Sequence, residues 1–236
     1  MKRMLLLAMI CLSTILPGQN DQFFQKVDSL VQCQQFGEAT TLLYQFIEDH
    51  PGRYFNHAKA YLLISKNDLK QGDVEAAIAN NKKSMTLRER LLTDDVAENY
   101  LQLGAIYNKK QEYDQALSYL RKAKSLPLED PQVLAQVNRL LASVLVEKGA
   151  VEEAIQYLEQ AIKVLEIELG ALHPDVGATC LQLGQTYHTA GNTDQAELHF
   201  KKGLAIKSLR CDTYIKQMIP NGFFITILQR LFRLHE

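Results

Sequence analysis

Cysteine is scarce in this 236-residue chain: four in all, and none of them in a Cys-x-x-Cys pair. That excludes a disulfide-built scaffold, and it gives no pairs from which to build a zinc site. Glycine (12) and proline (6) are few, and β-branched alternating runs are missing. The chain therefore reads as helical. Charge of one sign is lacking too. The net charge is -1, so there is no electrostatic footprint for nucleic acid or for an anionic membrane. The six histidines form no His-Glu-x-x-His motif and no cluster at ligand spacing. No Gly-rich phosphate loop and no Gly-x-Ser-x-Gly elbow occurs. The acidic pair Glu152-Glu153 falls at a helix start, where it complements the helix dipole. Enzyme chemistry, a metal and a cofactor are all without a basis here.

What is present is enough apolar sequence for a core: 47% hydrophobic against 22% charged residues, a balance that argues against global disorder. Met1 to Gly18 has a basic start (Lys2, Arg3), an apolar run over Leu5–Leu16, then Pro17-Gly18. This is the pattern of a signal peptide over 1–18, too short for an ordinary span of about 20 residues. It predicts export, to a periplasmic or extracellular location if the source is bacterial. An uncleaved amphipathic start is the alternative. Ile10 before Cys11 is too large for a lipoprotein site. Beyond that segment Cys33, Cys180 and Cys211 remain, an odd number. Cys180 falls on the core face of a predicted helix, as an inert packing residue.

The strongest pattern lies in Ala97–Leu126. Tyr100, Leu103, Gly104 and Tyr107 share one helical face, and Tyr113, Ala116, Leu117, Leu120 and Ala123 share another. The polar linker Lys109–Glu112 is short enough to fold the two helices back antiparallel. Gly104 and Ala116 let the backbones approach. Such a hairpin buries too little alone and predicts neighbours of its own kind.

The neighbours are there. The small residue early in each second helix recurs as Ala39, Ala77, Ala116, Ala154 and Ala196, at intervals of 38, 39, 38 and 42 residues. The first helices align as well, in NYLQLGAIY (99–107), NRLLASVLV (138–146) and TCLQLGQTY (179–187). On these residues, with Leu183, Gly184, Tyr187, Ala196 and Phe200 in the last copy, the chain resembles tetratricopeptide-repeat proteins. Tyr61, Ile64, Ser65 and Ala77 make a weaker second copy. The segment ELGALHPDVGATCLQLGQTY resembles the kinesin-light-chain type of repeat. The resemblance implies an all-α, right-handed α-solenoid of about five helix-turn-helix units over 19–210. It also implies a non-catalytic scaffold that binds a protein or peptide partner in its groove. An accessory or sensory subunit of a larger signalling or protease-like protein is the rival reading.

In this family the first helix of each repeat lines the groove. Carried over, this places Lys66, Lys70, Gln102, Asn108, Lys109, Arg139, Gln185 and His188 there, with Leu62, Leu101 and Leu181 between them. The strip is mildly basic, suited to an extended or helical peptide with acidic groups; ordinary solubilising charge is the bland reading. Where the family often carries an Asn pair that clamps peptide backbone, this chain has Leu101-Gln102 and Leu181-Gln182. His173-Pro174-Asp175 reads as a turn, with Asp175 capping the next helix and His173 solvated; Asp94-Asp95 would cap one repeat earlier. The segment 211–236, with Pro220-Asn221-Gly222 and then FFITILQRLFRL, is a capping or membrane-interfacial helix, or an altered end of a longer repeat protein.

Overall fold

The computed structural model describes residues 17–91, 96–126, 128 and 130–218, with side chains over 21–208 within those bounds. The described residues form ten helices and no strand. They are α1 (Pro17–Gln32), α2 (Phe36–Asp49), α3 (Tyr54–Gln71), α4 (Val74–Arg90) and α5 (Ala97–Lys109), then α6 (Tyr113–Ser125), α7 (Pro131–Glu147), α8 (Val151–Leu169), α9 (Pro174–Thr189) and α10 (Thr193–Met218). The class is an α-solenoid of helix-turn-helix repeats. Most of the proposed signal peptide, the Asp94-Asp95 pair and residues 219–236 lie outside the described residues. Residues 211–218 continue α10. No helix among the described residues is long and apolar enough to cross a membrane.

Two compact units divide at Lys110/Gln111. In the first, α2 packs on α3, α3 on α4 and α4 on α5; in the second, α6 packs on α7, α7 on α8, α8 on α9 and α9 on α10. The turns that follow α1, α3, α5, α7 and α9 each carry one left-handed residue: Gln34, Gly72, Gln111, Gly149 and Gly191, with φ between 62° and 92°. Gly is the cheap choice there, and the two glutamines hold a conformation that L-residues adopt at a cost.

Small side chains fix how closely the paired helices within each unit approach. Ala39, Ala77, Ala116, Ala154 and Ala196 are all buried, as are Leu103, Gly104 and Gly184. Tyr100, Tyr107 and Tyr187 are half-buried at the rim. In the second repeat, serines occupy two of the small positions and bond the facing helix. Ser65 donates to the Ala77 carbonyl at 2.7 Å, and Ser84 donates to the Ala58 carbonyl at 2.8 Å. The corresponding pairs in the last repeat are Gly184 with Ala196 and Gly203 with Gly177. There a Cβ on Gly184 would stand 3.1 Å from the Ala196 carbonyl oxygen, and one on Gly203 would stand 2.8 Å from that of Gly177. The same two crossing points are thus closed by hydroxyls in one hairpin and by bare backbone in the other.

The interior of the first unit is unusually polar. Asn80 donates to Asp68 Oδ2 at 2.8 Å and accepts from the Tyr44 hydroxyl at 3.3 Å; Asn81 donates to the Asn99 carbonyl at 3.2 Å. Burial pushes the Asp68 carboxyl above its ordinary pKa and repulsion from Asp73 adds to this, against the Asn80 bond and Lys83. An acid with a raised folded pKa binds its proton more tightly folded than unfolded. Its contribution to stability is therefore largest in acid, and is lost as pH rises from the unfolded value through the folded one. Asp68→Asn keeps an acceptor for Asn80 and removes the charge. The variant is expected to melt higher than the parent at neutral pH, with the gap closing below about pH 4. Melting curves of both proteins across that range test it; a gap that does not change with pH would mean Asp68 carries no charge penalty.

Candidate protein-binding surface

Within each unit, the first helices of successive repeats lie side by side. In the first unit, Gln102 on α5 donates to the Ser65 carbonyl of α3 at 3.2 Å, Lys66 pairs with Glu98 at 3.6 Å, and Lys109 donates to the Leu69 carbonyl at 2.7 Å. The Leu69 carbonyl, in the last turn of α3, also accepts the Gly72 amide at 3.2 Å, so Lys109 adds a cation at a helix C-terminus. In the second unit, Gln182 on α9 donates to the Arg139 carbonyl of α7 at 3.0 Å, and Arg139 Nε returns a bond to Gln182 Oε1 at 3.4 Å.

The predicted groove residues fall into three groups. Lys70, Lys109, Gln185 and His188 are exposed, and Lys66, Asn108 and Arg139 are half-buried. Gln102 is a correction: it is 6% exposed and staples α5 to α3 instead of facing a ligand. Leu62 is a second, at 2% exposure, part of the core and not of the strip; Leu101 and Leu181 are half-buried. The buried polar interior of the first unit explains Gln102, because Ser65 offers it both a carbonyl and a hydroxyl, the latter at 3.5 Å. The cap of α9 is a third correction. His173, not Asp175, is the N-cap: its Nδ1 accepts the Asp175 amide at 3.2 Å, with Pro174 in the first turn. Proline has no amide to cap, so the next N–H becomes the acceptor's partner.

Sequence reasoning placed Gln182 only as a missing clamp position. Its signal was the recurrence of Leu-Gln-Leu-Gly at 101–104 and 181–184, which sets a glutamine between first helices in both units. Glu98, the partner of Lys66, was not foreseen.

The cations of the strip are discharged to different degrees. Lys66 has Glu98, Lys109 has a helix terminus, and Lys70 lies 5.1 Å over the Phe36 ring. Lys59 lies 4.3 Å over Phe24. Arg139 has an amide and no carboxylate within ion-pair distance among the described residues. Burial pushes its pKa down, opposed by the field of Asp175; it remains a cation at any physiological pH. Nearby chemistry offers nothing catalytic. Cys180 is wholly buried, and burial pushes its thiol up. Among the described residues no group of three His, Cys, Asp or Glu side chains is placed to hold a metal.

Residues 133–208 and 97–130 each match a tetratricopeptide-repeat family. The fold has solved counterparts. BtubC (BKLC) from P. vanneervenii superposes with a TM-score of 0.65 at 19% identity, over 80% of each chain. The nearly identical repeats of a kinesin-light-chain-like protein from Podosopora anserina give 0.59 at 21% identity, over 82% of this chain and 98% of that one. MamA from Desulfovibrio magneticus RS-1 gives 0.54 at 15% identity, over 82% and 98%. No curated protein matches the sequence. The chain carries tetratricopeptide repeats over 97–130 and 133–208, and it shares its fold with the kinesin-light-chain-like repeats. Such repeats are protein-interaction scaffolds and typically non-catalytic, and that is the general function the fold supports.

Proposed function

We propose that the protein is a non-catalytic scaffold of an exported compartment that holds a protein or peptide partner along its first helices. The observation that carries this is the side-by-side placement of those helices in each unit, with Lys70, Lys109, Gln185 and His188 exposed on them. A polar, mildly basic strip of this kind suits an extended or helical segment with acidic groups. Export rests on the basic-then-apolar pattern of residues 1–18 alone. Crosslinking the protein in its native host, followed by partner identification, tests the reading. Replacing Lys66, Lys109 and Arg139 together by glutamate is expected to weaken capture of the crosslinked partner at low salt, where surface electrostatics are least screened. Undiminished capture there would remove the strip from the binding surface.

A further inference from the structure

Away from the strip, one histidine of the last repeat sits where its charge decides whether two helices can stay together. We infer that His199 makes the packing of α10 on α9 an acid-sensitive latch, closed while its ring is neutral and opened when mild acid protonates it. Three observations carry this. First, the His199 ring lies face to face with Tyr187 of α9, with centroids 5.5 Å apart and planes inclined by 15°. Second, its Nδ1 is sealed from solvent and has no hydrogen-bond partner among the described residues. Third, the carboxylates that α8 presents to this corner are already engaged. Glu159 accepts the Tyr187 hydroxyl at 2.9 Å, and Glu166 pairs with Lys202 at 2.7 Å.

A neutral imidazole can leave one nitrogen bare, whereas an imidazolium carries a proton on both. Protonation in place would turn Nδ1 into a buried donor without an acceptor, and would set a second cation near Lys202. Burial holds the His199 pKa below its ordinary value and Lys202 adds to this, against the field of Glu159. The other neighbours do not offset the cost. Burial keeps the Cys180 thiol of α9 neutral, and Glu197 and Lys201 of α10 pair with each other at the surface. The proton is therefore better accommodated in the open form, where the ring meets water. The α9–α10 contact has its full stability above the ordinary histidine range of about 6.5, and loses it as pH falls from there toward the lower folded value.

Cys180 supplies the readout. It is wholly buried, within the field of Lys202 on α10 and Glu166 on α8, so its thiol becomes reachable when α10 leaves. The test uses the full chain with Cys11, Cys33 and Cys211 replaced by serine. A dipyridyl disulfide, which reacts in mild acid, labels Cys180 between about pH 7.5 and about pH 5.5. Each rate is divided by that of the same protein unfolded in urea at the same pH, which cancels the ionisation of the thiol. The normalised rate is expected to rise several-fold toward acid, with a ceiling of about ten-fold set by one proton of open-state pKa about 6.5. His199→Phe keeps a ring against Tyr187 and His199→Gln does not, but neither titrates, so both should give a flat profile. Far-UV circular dichroism confirms that each variant is folded at neutral pH. A flat profile in the parent would overturn the latch, and so would a parent-sized response in either variant. His173→Asn identifies the competing source, because the His173 Nδ1 also accepts the Asp175 amide only while its ring is neutral. A response lost in that variant and kept in the two His199 variants would move the switch to the cap of α9. Loss of the whole helical signal over the same pH range would overturn the latch as well, since the array and not its last repeat would then be answering to pH.

Discussion

Ala116→Glu is expected to unfold the repeat array at temperatures where the parent is fully native. Ala116 lies in the first turns of α6, with no exposed surface, beside the buried Leu117, Leu120 and Ala123. A carboxylate there is sealed from water, and an uncompensated buried charge costs about 3–5 kcal/mol. Domains of this size have about 5–15 kcal/mol in total. The loss also spreads, because in a repeat protein each interface is shared with the next unit. Far-UV circular dichroism during heating reads the effect. Ala116→Gly serves as the control, expected to lose only about 1 kcal/mol of helix propensity. The introduced carboxyl would have a raised pKa in the folded state, so the difference from the parent should narrow as the pH falls. A variant that melts like the parent would mean the side chain at 116 reaches solvent.

The repeat register was legible in the sequence because it depends on size and period. Five alanines at nearly constant spacing report a steric demand that only small residues meet. The same demand met by a hydroxyl is harder to read. Ser65 and Ser84 look like weak matches in a degraded repeat, yet each closes its hairpin through a bond to a facing carbonyl. Polar interiors defeat the pattern for the same reason. Gln102 has the spacing of a groove residue and the chemistry of a surface one, but it finds both groups of Ser65 and is buried. Its counterpart Gln182 meets an arginine instead, and that pairing depends on which residue stands one repeat earlier. Helix caps are similarly local: Asp175 had the better capping side chain, but Pro174 left His173 in the position where an acceptor is used.

The contrast between hydroxyl-closed and backbone-closed hairpins leads to an expected large loss at Gly203. A Cβ there would stand 2.7 Å from Leu181 Cγ and 2.8 Å from the Gly177 carbonyl oxygen. Leu181 is half-buried and can rotate, but the Gly177 carbonyl belongs to the backbone of α9 and moves only with its helix. Substitution must therefore part α9 from α10, which also carry the buried contacts of Val176, Cys180, Leu183 and Ile206. Gly203→Ala gains about 1 kcal/mol of helix propensity and is nevertheless expected to lower the melting temperature. Gly203→Val, with two more methyl groups at the crossing, should cost about 3 kcal/mol, the upper end of ordinary overpacking. Gly184→Ala is the informative comparison. There the nearest atom, at 2.8 Å, is in the Phe200 ring, and Phe200 is only half-buried. A ring can tilt where a carbonyl cannot, so this variant should lose less than Gly203→Ala. Equal losses would show that the two helices separate as easily at one crossing as at the other. A Gly203→Ala variant more stable than the parent would show that α10 can shift without cost. In either case the closeness of α9 and α10 would be a tolerance of the last repeat and not its constraint.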